Sequence, residues 1–194
     1  DEIARSLYAD GLTPEPQRIF DALETLHQTL AQHLQDIWPQ LHAAHQIQEP
    51  YAPNAQQSNA RALANRALVY LTRIDAGEAA KKQFDTANNM TQQQAALSAL
   101  LSVEKGAEQA QAFYRQWKED RLVIDKWFAL QSSRPPVANA EPTLSDVKRL
   151  REHEAFKMNN PNRVRSVIHA FCMNNPASFH QMDGSGYAFW AESV

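Results

Sequence analysis

Two arginines at a helix start carry the clearest chemical signal in this 194-residue chain, inside NNPNRVRSVIHAFCMNN at residues 159–175. Asn160 followed by Pro161 reads as a capping side chain and then a proline at the first helical position. Arg163 and Arg165 fall in the first turns, with no acid among them. A helix N-terminus already carries partial positive charge, so a cation there costs about 0.3–1 kcal/mol unless something offsets it. Acids on a neighbouring helix would offset it, and so would an anionic ligand. The spacing leaves both open.

Other reactive residue types do not assemble into sites. REHEAFK places His153 and Glu154 together, as the zinc motif HExxH does, but Lys157 stands where the second histidine is needed. A solvated helix face is the better reading. His42 and His45 lie one helical turn apart, with His27 and His33 upstream, and no cysteine or carboxylate set joins them. Two imidazoles make a weak metal site, so solvent-facing histidines are expected. Cys172 has His169 three residues earlier, but nothing marks its thiol as activated, and a small core residue fits it better. DGSGY holds Ser185 between Gly184 and Gly186, without the strand that precedes a nucleophile elbow. It reads as a tight turn whose glycines relieve backbone sterics. No catalytic and no metal-ligating residue is expected in the chain.

The elements that would carry these residues are helices. Residues 15–37 repeat Ile19, Leu23, Leu26, Leu30, Leu34 and Ile37 at three- and four-residue steps, and Pro39 kinks or breaks the helix near its end. Residues 57–74 put Ala60, Leu63, Ala67, Leu71 and Ile74 on one face. Thr91 and Gln94 form a capping box for a helix to about Leu101. RLVIDKWFALQ at 121–131 is apolar enough to be buried on most sides, SSRPPVANAEP is a linker, and Thr143 with Asp146 caps the next helix. The large aromatics, Trp190 included, fall at helical spacings and read as core anchors. This makes about nine helices with short connections and no fixed repeat. An irregular α-α superhelix of stacked helix pairs (ARM/HEAT-like) is expected, with a closed bundle as the alternative.

Composition agrees. The chain is 43% hydrophobic and 21% charged, with only 5 glycines, which suits one soluble helical domain over residues 1–194. A net charge of −3 argues against nucleic acid or a membrane surface as partner, despite the locally basic run 148–165. No apolar run approaches the roughly 18–20 residues of a membrane-spanning helix. Cys172 is the single cysteine, so no internal disulfide can form. Residues 1–8 read as mid-helix, and GYAFWAESV stops while an apolar face is still being laid down. Both ends are expected to be cuts in a longer chain, with the fold truncated at its C-terminal end.

Three long segments then suggest a family. KKQFDTANNMTQQQAALSAL (81–100), RLVIDKWFALQSS (121–133) and NPNRVRSVIHAFCMNNPASFHQMDGSGYAF (160–189) resemble, in this order, the C-terminal domain of bacterial aminopeptidase N, a zinc-dependent metallopeptidase. NARALANRALVYL (59–71) fits too. The resemblance covers residues 55–190, and residues 1–55 are generic helix. It implies an irregular superhelical all-α domain that closes over a separate catalytic domain of the same polypeptide. The zinc site, HExxH plus a further Glu, and the GAMEN-like segment belong to that other domain, and neither motif is present here.

On this resemblance the chain is the non-catalytic piece of a cytoplasmic enzyme that removes N-terminal residues from peptides, and it is inactive alone. The chain itself needs no cofactor, and the zinc is the parent's. Its implied role is to wall the cavity and the channel by which peptide substrates reach the zinc. Arg165 matches a cavity-facing arginine of the family, and Arg163 either joins it or pairs with a structural acid. The alternative is an independent helical scaffold that binds a peptide or protein partner.

Overall fold

The computed structural model describes residues 2–193, and these are helical without a strand. They form two compact units. One takes the residues up to Thr25 and those from Gln116 onward, and the other is Leu26–Arg115.

In the second unit, the C-terminal part of α2 (Pro16–His33) leads to α3 (Ile37–Ala44), α4 (Ala55–Leu71), α5 (Glu78–Thr86), α6 (Met90–Leu101) and most of α7 (Ala107–Trp117). The long periodic segment from residue 15 breaks three residues before Ile37, and Pro39 sits within the first turn of α3. A proline is tolerated there because the first-turn N–H groups have no intrahelical partner. Helices pack as neighbours in sequence, α3 on α4 and α5 on α6. Ala64, Ala67 and Leu68 of α4 and Ala96, Leu97 and Leu100 of α6 are buried, and α4 packs on α6.

Capping in this unit departs from expectation once. Asn89, two residues before Thr91, caps α6: its side chain accepts from the Gln92 N–H at 3.0 Å. Asn is a stronger cap than Thr, and the Thr–Gln spacing only mimics a capping box. His42 is half-buried rather than solvent-facing, with Nε2 2.9 Å from Gln83 Oε1.

The first unit holds α1 (Glu2–Ala9), the start of α2, and then α8 (Arg121–Ser132), α9 (Thr143–Glu152), α10 (Pro161–Val164), a π-helical segment Arg165–His169, α11 (Ala170–Asn174), α12 (Pro176–Phe179) and α13 (Ser185–Ala191). Its core joins Val123, Ile124, Trp127 and Phe128 of α8 to Val147 and Leu150 of α9, then to Val167, Ile168 and Phe171, and finally Phe189. Burying one such side chain is worth about 1.5–3 kcal/mol. α8 is buried on one side only, since Leu122 is 69% exposed. Trp190 is 50% exposed and is not a core anchor.

The 133–142 stretch is irregular, as expected, but it is not a loose linker. Arg134 is buried, its guanidinium donates to Asp146 Oδ2 at 2.7 Å, and its carbonyl accepts from Thr143 Oγ1 and Asn175 Nδ2. Thr143 and Asp146 are thus spent on Arg134 rather than on capping, and Pro142 starts α9 without a side-chain cap. Gly184 and Gly186 act as the sequence suggests. Gly184 has φ +73°, and a Cβ on Gly186 would sit 2.0 Å from the Phe179 carbonyl oxygen.

Candidate functional site

The helix start at residue 160 forms as its residues dictate. The Asn160 side chain accepts from the backbone N–H of Asn162 and Arg163, and Pro161 is the first helical residue. The helix then widens. From Arg165 to His169 the backbone is π-helical, and the Ala170 N–H donates to the Arg165 carbonyl five residues back. One residue more than an α-turn is accommodated there, which is a frequent mark of a functional position in helices.

The two arginines are separated by this geometry. Arg163 is buried, with Nε 3.1 Å from Asp125 Oδ1 and its guanidinium carbon 4.9 Å from the Phe128 ring centre. An acid on α8 therefore supplies its counter-charge, and an aromatic face supplies a second electrostatic contact. Arg165 is exposed, and no acid lies within ion-pairing distance of it among the described residues. His169, four residues on and at the end of the π-segment, is exposed as well. Arg165 thus offers a guanidinium fork to solvent, a group suited to bidentate recognition of a carboxylate.

His153 takes a position that sequence reasoning missed. It lies just past the C-terminus of α9 rather than on a helix face. Its ring packs 5.2 Å from Trp127 and 5.7 Å from Phe128, and its Nδ1 accepts the Ala155 N–H at 3.1 Å. A backbone N–H can only donate, so Nδ1 is unprotonated and the imidazole is the neutral Nε2–H tautomer. Burial holds its pKa below the ordinary histidine value, with Arg163 acting in the same direction and Glu154 against it.

Asp125 is the other residue the sequence did not single out. It is the one acid within the apolar segment RLVIDKWFALQ, and a lone carboxylate in such a segment is the signal that points to a buried partner. Cys172 is half-buried, and burial pushes its thiol pKa up, so it has no nucleophile's environment. Among the described residues, no three His, Cys, Asp or Glu side chains come together in a way that would hold a metal ion. None of the helices described is long and apolar enough to cross a membrane.

Comparison with known proteins places this geometry in context. Residues 2–194 match the family described as "Domain of unknown function (DUF3458_C) ARM repeats". Aminopeptidase N of Escherichia coli strain K12 is 39% identical over 185 residues, which cover 93% of this chain and 21% of that protein. Aminopeptidase N of Haemophilus influenzae is 33% identical over 91% of the chain and 20% of its own length. A crystal structure of Legionella pneumophila aminopeptidase A in complex with aspartic acid superposes with a TM-score of 0.80 at 26% identity, over 93% of this chain and 22% of that one. The chain spans about a fifth of the length of the curated relatives it matches.

Proposed function

Because this chain belongs to the DUF3458_C family of ARM-repeat domains, we propose that it serves as the non-catalytic helical domain of a zinc aminopeptidase. The observation that carries the reading is the 39% identity to aminopeptidase N over 93% of the chain. In this reading the catalytic domain lies in the same polypeptide, in the cytoplasm. A zinc-bound water there hydrolyses the N-terminal peptide bond. The residues described here contribute no ligand to that zinc. They wall the enclosed cavity and the channel through which peptides reach it.

Arg165 is the residue we assign to the channel. Its exposure and the lack of an acidic partner among the described residues support that role, because a cation without a counter-charge keeps its full capacity for a substrate carboxylate. A short peptide's free carboxylate meets the guanidinium directly or through water. Arg163 is engaged with Asp125 and steadies the helix that presents Arg165.

The test is Arg165→Ala in the whole enzyme, assayed on dipeptides and tripeptides and on the same substrates with an amidated C-terminus. The expected result is a kcat/KM about 10-fold lower for free-carboxylate peptides, as for loss of one charged hydrogen bond. Amidated substrates should change little. Unaltered kinetics on both sets would remove Arg165 from the channel. A native polypeptide of only this size, with no catalytic domain, would instead favour a free-standing scaffold.

A further inference from the structure

His153 opens the segment 153–160 that joins α9 to α10. The Ala155 N–H donates to His153 Nδ1, the Phe156 N–H donates to the His153 carbonyl at 2.8 Å, and the Asn160 N–H donates to the Lys157 carbonyl at 3.0 Å. The Phe156 ring rests edge-on against Phe128 at 6.3 Å. Glu154 and Lys157 to Asn159 are exposed. The imidazole is thus both the first hydrogen-bond acceptor of the turn and part of its packing against α8.

Protonation would break the hydrogen bond from the Ala155 N–H. An imidazolium carries N–H on both nitrogens, so Nδ1 ceases to accept and confronts the Ala155 N–H donor to donor. The charge would also arrive in a half-buried place near Arg163, which already holds Asp125. Of the charged groups around the ring, Arg163 from α10 opposes protonation and Glu154 of the segment itself favours it. From α8, Asp125 is taken by Arg163, and Trp127 and Phe128 bring no charge.

We propose that His153 is a pH-operated latch: neutral, it fastens the 153–160 segment to α8, and protonated, it releases that segment while the helical core stays folded. The latch stands whether or not Arg165 meets a peptide. Its lowered pKa sets the release on the acid side of the ordinary histidine range.

The test is hydrogen exchange of the amides of residues 155–160 between pH 7.5 and 4.5, corrected for intrinsic exchange, in the wild-type chain and in His153→Asn. An Asn side-chain oxygen can accept the N–H two residues on, as in an Asx-turn, but does not titrate. Protection in the wild type is expected to fall as pH drops below about 6.5, by at most tenfold per pH unit, and to level off once His153 is protonated in the closed state as well, while Val167 and Phe171 stay protected. His153→Asn should show no such fall. An equal fall in both proteins overturns the latch, and so does constant protection in the wild type while the His153 ring resonance titrates. Should His153→Asn not fold, the wild type decides alone. Coincident midpoints for the resonance and for the loss of protection support the latch, and midpoints separated by more than about one pH unit overturn it.

Discussion

Arg163 and Asp125, 38 positions apart in the sequence, meet with Nε 3.1 Å from Oδ1 where α10 crosses α8. The arginine side chain is 6% exposed and the aspartate 19%. Neither charge would sit comfortably there alone, because an ion leaving water must be paired and hydrogen-bonded to offset its desolvation. The pair holds the start of α10 against the helix beneath it.

Removing one charge of this pair should cost more than removing both. Asp125→Asn leaves a buried guanidinium without its counter-charge and is expected to destabilise the chain by about 2 kcal/mol, below the 3–5 of a fully buried pair because Asp125 keeps some water. Asp125→Leu combined with Arg163→Met should recover most of the loss. Urea unfolding of the three proteins measures this, and a double variant no more stable than Asp125→Asn would show that the charges are not what matters.

Gly186 is the least replaceable glycine. A Cβ there would meet the Phe179 carbonyl oxygen at 2.0 Å, and the nearest atoms are all Phe179 backbone, so no flexible side chain can yield. Gly186→Ala should cost about 3 kcal/mol or more, by forcing α13 away from α12. Gly11, whose added Cβ would meet nothing within 4 Å, has φ +77°. Gly11→Ala should therefore lose only the backbone preference, about 1 kcal/mol. Thermal melts of the two variants should rank in that order.

Cys172 should react slowly. Burial raises its thiol pKa, so the thiolate fraction at any pH near 8 lies below that of a free cysteine. Alkylation by iodoacetamide at pH 8 is expected to run several-fold slower than for glutathione and to approach it on unfolding in urea. A folded-state rate equal to that of glutathione would contradict the burial.

Global stability should decline on acidification through His153. Its folded-state pKa lies below that of the unfolded chain, mainly through burial, so unfolding takes up a proton. The contribution is fully present above the unfolded value of about 6.5, diminishes as pH falls through it, and levels off below the folded value. Urea midpoints at pH 7.5, 6.5 and 5.5 should drop more steeply in the wild type than in His153→Asn. Parallel lines for the two proteins would assign the pH dependence to other groups.

What the sequence disclosed was what is local. The Asn160–Pro161 start needs only two adjacent residues and a hydrogen bond two or three positions on, and it formed as read. The helical periodicities likewise rest on neighbours one turn apart. Misreadings arose where a tertiary contact outbid a local one. Thr143 and Asp146 had the spacing of a cap, but a buried Arg134 claimed both. RLVIDKWFALQ reads as buried on most sides, yet Leu122 faces outward and Asp125 faces Arg163. His153 looked like a helix-face residue because the sequence did not show that α9 ends at Glu152. The two arginines differed least in the sequence and most in the fold, since the separation came from the path of the backbone beneath them.

The π-segment has a consequence for how this helix tolerates change. A residue added to a helix without breaking it acts like a slipped tooth in a gear. Everything after it is turned by about 100° relative to an uninterrupted α-helix. The side chains of α11, with Phe171 buried and Met173 exposed, are therefore phased by the five residues from Arg165 to His169, and not by the cap at Asn160. Deleting one of those five, so that the turn became α-helical, would leave those faces in step, whereas keeping all five and winding them as an α-helix would rotate the faces by about 100°. The segment is in that sense a fixed phase shift written into the chain, and its length is as much a part of the design as its residues.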